Sequence, residues 1–315
     1  MMARRFGVEI ESFGMTRPEV AQLLCANGIP CVDVGYSHRV LTTWKVVVDA
    51  SIREGRSNQM GFELVSPPMS GPEGLAEVAR VVELVNAAGC DVDKTCGIHV
   101  HVEANDLTAR EIANVFNRYR KHEEEIDRAM PASRRGSSNR FCKSIRTLPE
   151  LAVHATAQQT AQQVTDRYYK VNLTSYVKYG TIEFRQHSGS LNAAKITTWI
   201  RFVMQFVEAS RLTNAEVAVD LCGRLRGKTR TIVELLQSDQ MTVDMLASRI
   251  DSSVITTRSL IRSLRLRGIQ VRNAGHKYSI TRAVATTPVE TSLWSGVESS
   301  IRTYYTRRVA VLAAA

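Results

Sequence analysis

The 315-residue sequence has no C-x-x-C pair, no internal repeat, no G-x-G-x-x-G turn and no Walker-type lysine loop. Its six cysteines are not the framework of a disulfide-stapled domain, and reduced thiols are expected. The missing glycine-rich motifs argue against Rossmann and P-loop nucleotide binding. Nowhere do about 18 apolar residues run together, and the opening "MMARRFGVEIE" holds no apolar stretch of signal-peptide length. The chain is therefore expected to be soluble and cytoplasmic, with no membrane contact. What is present is ordinary for a globular protein, 44% hydrophobic and 23% charged, with length for one sizeable core and a smaller unit.

Charge is unevenly placed. Between Arg224 and Arg282 stand twelve Lys or Arg against four acids, a net of +8 out of the total of +10. Residues 1–223, at +1, are expected to form the main domain, 224–282 a small basic domain after the linker "RLRGKTR", and 283–315 a tail.

Hydrophobic periodicity predicts the elements. Residues 4–11, "TTWKVVVDAS", "MGFELVSP", "GIHVHVEAND" and "GTIEFRQHS" read as strands. Helices are expected after the capping boxes Thr16/Glu19 and Thr108/Glu111, across "GPEGLAEVARVVELVNAAG", through 156–172, and from Asn192 along the stripe Ile196, Trp199, Ile200, Val203 and Val207. "PASRRGSSNRFCKS" reads as a polar, basic loop able to move.

Strand after strand carries acids or histidines at every second position. Glu9 and Glu11 alternate with Phe6, Val8 and Ile10; His99, His101 and Glu103 alternate with Ile98, Val100 and Val102. Glu183, Arg185 and His187 alternate with Ile182 and Phe184, Glu63 lies between Phe62 and Leu64, and Asp49 and Ser51 end a further strand. Successive strand side chains point to opposite faces, so each set shares one face. Alone, each is equally a solvated face or a surface ion pair; together in one domain they predict a shared site. Clustered carboxylates repel unless a cation neutralises them, and oxygen-rich ligation with histidine suits Mg²⁺ or Mn²⁺ better than zinc. Arg185 beside Glu183 adds a fixed cation suited to phosphate.

Taken together and in order, "RRFGVEIE", Asp49 and Ser51, "GFELVSPP", "GIHVHV", "YYKVN" and "TIEFRQHSGSLN" make residues 3–210 resemble the amidoligases, carboxylate-amine ligases related to glutamine synthetase and glutamate-cysteine ligase. The resemblance implies an α+β fold with a curved, mainly antiparallel sheet, helices on its convex side, and ATP with two or more divalent metals on the concave face. It implies that Glu9, His99 and Glu183 hold a metal bridging the ATP phosphates, that Glu11 and Glu63 hold a second near the acceptor carboxylate, and that Arg185 binds the transferred phosphoryl group. Asp49, Ser51, His101, Arg140, Tyr169 and Asn172 match family positions that line the site. His101 or Glu103 is expected to deprotonate the incoming ammonium. The chain is short beside glutamine synthetase, which argues against free ammonia and glutamate as its substrates; bacteria and their phages commonly carry such families.

"TVDMLASRIDSSVITTRSLIRSLRLRG", with the strand candidates "IQV" and "YSI", resembles a winged helix-turn-helix. Its candidate recognition helix spans Val254 to Arg267, and Arg258, Arg262, Arg265, Arg267, Arg272 and Lys277 supply charge for nucleic-acid phosphate; protein docking is the alternative. Two other functions fit parts of the pattern. A metal-dependent hydrolase explains H-x-H with acids but not Glu183 with Arg185. A winged-helix regulator with a nucleotide-sensing, ligase-like domain would bind ATP without turning it over.

Overall fold

The computed structural model describes residues 4–53, 60–211, 227–266, 271–280, 293–294 and 297–313. The chain divides into two compact units, Met1–Arg211 with Ser292–Ala315, and Leu212–Thr291. The boundaries expected at 223/224 and 282/283 lie outside the described residues.

The first unit is α+β and is built on a seven-stranded, mainly antiparallel sheet. Its strands are β1 (Phe6–Ser12), β2 (Cys31–Gly35), β3 (Trp44–Arg53), β4 (Met60–Val65), β5 (Gly97–Glu103), β6 (Val171–Asn172) and β7 (Thr181–Ser188). They lie in the order β2-β3-β4-β1-β5-β7-β6, and only β2 and β3 run parallel. Four helices matter for the site: α1 (Arg17–Ala26), α2 (Gly71–Ala87), α3 (Ala109–Arg128) and α6 (Ala193–Arg211). α3 opens as its capping box predicts: the Thr108 N–H donates to Glu111 Oε2 at 2.7 Å and the Glu111 N–H to Thr108 Oγ1 at 3.3 Å.

Alternation decides which face is covered. Val8, Ile10, Phe62, Leu64, Ile98, Val100, Ile182 and Phe184 enter one core with Val78, Val82 and Val85 of α2, Val115 and Phe116 of α3, and Ile196, Trp199 and Val203 of α6. At roughly 1.5–3 kcal/mol for each large apolar side chain taken from water, this core fixes strand register. A slip of one residue would drive Glu9, His99 and Glu183 into it.

The structure departs from expectation at four places. The helix expected through 156–172 is confined to α4 (Ala157–Ala161). Beyond it the Asp166 carboxylate accepts the Tyr168 N–H at 2.8 Å, closing a turn, and Val171 and Asn172 pair with Phe184 and Glu183 as β6. α5 (Thr174–Tyr179) then ends on Gly180, whose φ of 70° only glycine adopts freely. The second departure is β2, which was not expected as a strand: only Cys31 of its five residues is buried, so it has no apolar face of its own, and parallel pairing to β3 makes it a strand.

The third is His187. Val100 opposes Phe184 but Ile98 opposes His187, so β7 carries one extra residue between them. That bulge turns His187 away from the acids onto the helix-covered face, with its ring 5.5 Å from the Trp199 ring. Burial, with Arg308, Lys195 and Arg134 adding to it, pushes the imidazole down to about 3, and Nδ1 lies 2.7 Å from the Ser188 carbonyl. The native state therefore keeps His187 neutral where the unfolded chain, titrating near ~6.5, binds a proton. Its contribution is present above pH ~6.5 and is lost as pH falls towards 3. Urea unfolding at pH 7 and pH 5 should show wild type losing about 2 kcal/mol more than His187→Gln over that interval; parallel losses would contradict the assignment.

The stretch 283–315, expected as a tail, contains α10 (Ser299–Ala313), whose Ile301 and Tyr305 join the core of the first unit with Leu293. The second unit holds α7 (Lys228–Ser238), α8 (Val243–Arg249) and α9 (Val254–Leu266) with a three-stranded antiparallel sheet of β8 (Met241–Thr242), β10 (Lys277–Ile280) and β9 (Val271–Ala274), in that order. Ile232, Leu236, Leu246, Ile261 and Leu264 form its own core.

Candidate metal and anion site

The uncovered face of the sheet gathers the acids. Glu9 opposes His99, Glu11 opposes Glu63, and His101 opposes Glu183, which in turn opposes Asn172. Five adjacent strands thus contribute to one row. His99 Nδ1 stands 3.0 Å from Glu9 Oε2 and 3.8 Å from both Glu63 Oε1 and Glu183 Oε1, while His99 Nε2 stands 3.4 Å from Glu11 Oε1. His101 Nε2 lies 3.3 Å from Glu9 Oε1, and its Nδ1 lies 3.0 Å from Thr181 Oγ1. Arg185 pairs with Glu183, whose other oxygen accepts from Asn172.

These contacts set the protonation of the row. Burial opposes charge on Glu9, but His101 and His99 outweigh it and hold the carboxyl well below the usual carboxylate range. Burial likewise opposes charge on Glu183, and Arg185 with His101 lowers it. Glu63 goes the other way: burial and the charges of Glu9, Glu11 and Asp49 push it well above that range. His101 is raised because Glu183 and Glu9 outweigh its burial. Glu63 is thus the carboxyl of the row whose ionisation its neighbours oppose most, a repulsion that a divalent cation would relieve.

Among the described residues three sets have ligand atoms all within 4.8 Å of one another: Glu9, Glu63 and His99; Glu9, His101 and Glu183; and Glu11, Asp49 and Glu63. The grouping differs from the one the resemblance implies, since Asp49 joins Glu11 and Glu63, and His101 stands with Glu183.

Two cavities meet at this row, sharing Glu9, Glu63 and His101. The larger, about 580 Å³, is also lined by Asp49, Ser51, Arg140, Asn172 and Arg185, all expected site residues. Arg134, Arg167, Lys178, Phe141 and Tyr168 line it as well, and none was singled out by sequence pattern. The smaller, about 350 Å³, is lined by Val40, Leu41, Val65 and Pro68 with Lys45, Arg5 and Glu103. Glu103 is bound to Arg5, whose hydrogen bond holds its carboxyl below the usual range, and Lys45 Nζ donates to the Ser37 and Arg39 carbonyls at 3.0 and 2.7 Å. Tyr169 lines neither: it packs against the core under Lys143, whose Nζ is 4.7 Å from its ring, and its neighbour Tyr168 takes the cavity wall.

In the second unit Arg258 and Arg262 of α9 and Lys277 of β10 are exposed. Arg267 lies outside the described residues, as do the side chains of Arg265 and Arg272.

No curated protein matches the sequence. The family model described as "putative amidoligase enzyme" matches residues 2–207, which contain every strand of the seven-stranded sheet and every acid of the row. The chain belongs to that amidoligase family.

Proposed function

We propose that this ligase-family chain joins a carboxylate to an amine at the expense of ATP, through an acyl phosphate and with Mg²⁺ or Mn²⁺, and that its Leu212–Thr291 unit is a winged-helix module for nucleic acid. The observation that carries the reading is the row itself, in which three overlapping donor sets and Arg185 share one sheet face at the meeting point of two cavities.

The residues fit divalent cations: mostly carboxylate oxygens with imidazole beside them, and a Glu63 carboxyl whose ionisation burial and its acidic neighbours oppose. Glu9, His99 and Glu183 would hold one ion, as the resemblance implies, and Glu11, Asp49 and Glu63 another. Bound there, the ions supply charge neutralisation between two anions that otherwise repel.

The larger cavity, with Arg140, Arg167, Lys178 and Arg185 among aromatic rings, suits the nucleotide; the smaller, more apolar one suits the acid and amine. In the first step a carboxylate oxygen of the acid bonds to the terminal phosphorus of ATP and ADP departs. In the second the amine nitrogen bonds to the acyl carbon and phosphate leaves, giving the amide. Arg185, oriented by Glu183, faces the phosphoryl group in flight. The amine's proton goes to His101, because Glu103, the other acceptor expected from the sequence, is occupied by Arg5. In the second unit, exposed Arg258, Arg262 and Lys277 support phosphate contact by α9 and β10.

Calorimetry of ATP with Mg²⁺ against the full chain is expected to show binding, followed by ADP release that requires an amine. Absence of binding would transfer the weight to a winged-helix regulator. Binding without turnover indicates a nucleotide sensor, and product release indifferent to amine indicates a hydrolase.

A further inference from the structure

Arg134 follows α3 in a one-turn 3-10 helix (Ala132–Arg134) and is only 2% exposed. Among the described residues no carboxylate pairs with it. One terminal nitrogen, Nη2, donates to the Cys96 carbonyl and the Cys142 thiol lies beside the group, while Nε is buried without any hydrogen-bond partner. Buried guanidinium groups are almost always paired, so an unpaired one is a charge awaiting a ligand.

Its position says which ligand. The side chain lines the larger cavity, and a Cβ built on Gly97 would meet Arg134 Nη2 at 3.0 Å, Nη1 at 3.1 Å and His99 Nε2 at 3.0 Å. The guanidinium fork therefore hangs over Gly97 on the site face, beside His99, in room that only glycine leaves. Its backbone is fixed from behind, by the Gln186 amide donating to the Arg134 carbonyl at 3.4 Å and by the Gly136 N–H donating to Asp127 Oδ2 at 2.8 Å. An anion seated here meets the fork and, at the same time, any cation held by the neighbouring acids. A carboxylate that is bidentate on a guanidinium has used both oxygens; a phosphate has a third for the cation.

We infer that Arg134 is a phosphate-binding residue of the cleft, receiving the terminal phosphate of a nucleotide or the orthophosphate that its transfer releases. The nucleotide form of this inference rests on the ligase reading above; the orthophosphate form does not.

The test uses the full chain as wild type, Arg134→Gln and Arg134→Lys. Orthophosphate at millimolar concentration should raise the melting temperature of wild type, leave that of Arg134→Gln unchanged, and act weakly on Arg134→Lys, which keeps the charge but loses the fork. Calorimetry with Mg²⁺ should show ATP binding weakened roughly 10- to 100-fold in Arg134→Gln, with ADP binding within about 2-fold of wild type. Without ligand, Arg134→Gln should melt at or above the wild-type temperature, because an unpaired buried charge has been removed. Wild type that responds to orthophosphate through Arg134 yet binds no ATP would sink the ligase reading and leave this inference standing. It is overturned by an orthophosphate response absent from wild type or equal in wild type and Arg134→Gln, by equal loss of ATP and ADP, or by a ligand-free melting temperature well below wild type.

Discussion

Glu9→Gln is expected to lower turnover by at least about 10³-fold and to remove metal-dependent ATP binding, while leaving the fold intact. Glu9, like Glu63, belongs to two of the three donor sets, and its two oxygens face both imidazoles, His99 at 3.0 Å and His101 at 3.3 Å. The substitution keeps the size and one carbonyl acceptor but deletes the charge. Loss of a ligand costs tenfold or more in metal affinity, and loss of charge neutralisation at a transferring phosphoryl group costs a further few kcal/mol in the barrier, together about 4 kcal/mol or more. Stability should change little. Glu9→Gln relieves the repulsion that pushes Glu63 up but also removes the anion that His99 and His101 face, and the two effects oppose each other, so the melting temperature without added divalent ion is expected to stay near that of wild type. The pair of measurements is the decisive part, because a substitution that merely unfolded the site would lower both. Turnover within tenfold of wild type would remove Glu9 from the machinery.

The row was legible because two-residue periodicity is a strong signal when the intervening residues are Val, Ile and Phe. Glu9, Glu11, Glu63, His99, His101 and Glu183 could each be assigned to a face without knowing which strands were neighbours. What periodicity cannot carry is an interruption of itself. His187 sits two residues beyond Arg185 and by count belongs with the acids, yet one extra residue of β7 between Phe184 and His187 sends it to the core. β6 was hidden for a related reason, since two residues hold no period and become a strand only because Glu183 and Phe184 are there to pair with. Arg134 was hidden by composition. A loop rich in Ser, Gly and Arg reads as solvated, and nothing local reveals that α3 and β7 close over one of its arginines. The helix at 299–313 left a weak trace because its exposed side carries Arg302 and Arg307 and its buried side rests on few residues, chiefly Ile301 and Tyr305.

The second large effect is on stability and lies behind the site. Lys170 is 0% exposed, and its ammonium donates to Glu123 Oε1 at 2.8 Å and Asp127 Oδ1 at 2.6 Å. Glu123 also accepts the N–H groups of Ile145 and Arg146 at 2.9 and 3.3 Å, and Asp127 accepts from Gln186 and from the Gly136 N–H. The Lys170 carbonyl meanwhile accepts the Arg185 N–H at 2.8 Å. One buried triad thus fastens the end of α3, the Arg134 loop, and the strand that bears Glu183 and Arg185. Lys170→Met fills the same volume but strands two buried carboxylates without their cation, which costs about 3–5 kcal/mol. Against a typical stability of roughly 5–15 kcal/mol this is a third or more of the total. Urea unfolding should register it as a lower midpoint at an unchanged m-value. The double variant Lys170→Met, Glu123→Gln should recover part of the loss, since the glutamine still accepts the Ile145 N–H while removing one stranded charge. A loss under about 1 kcal/mol in the single variant, or strict additivity in the double, would mean that water reaches these carboxylates and that the triad does not hold the back wall of the cleft.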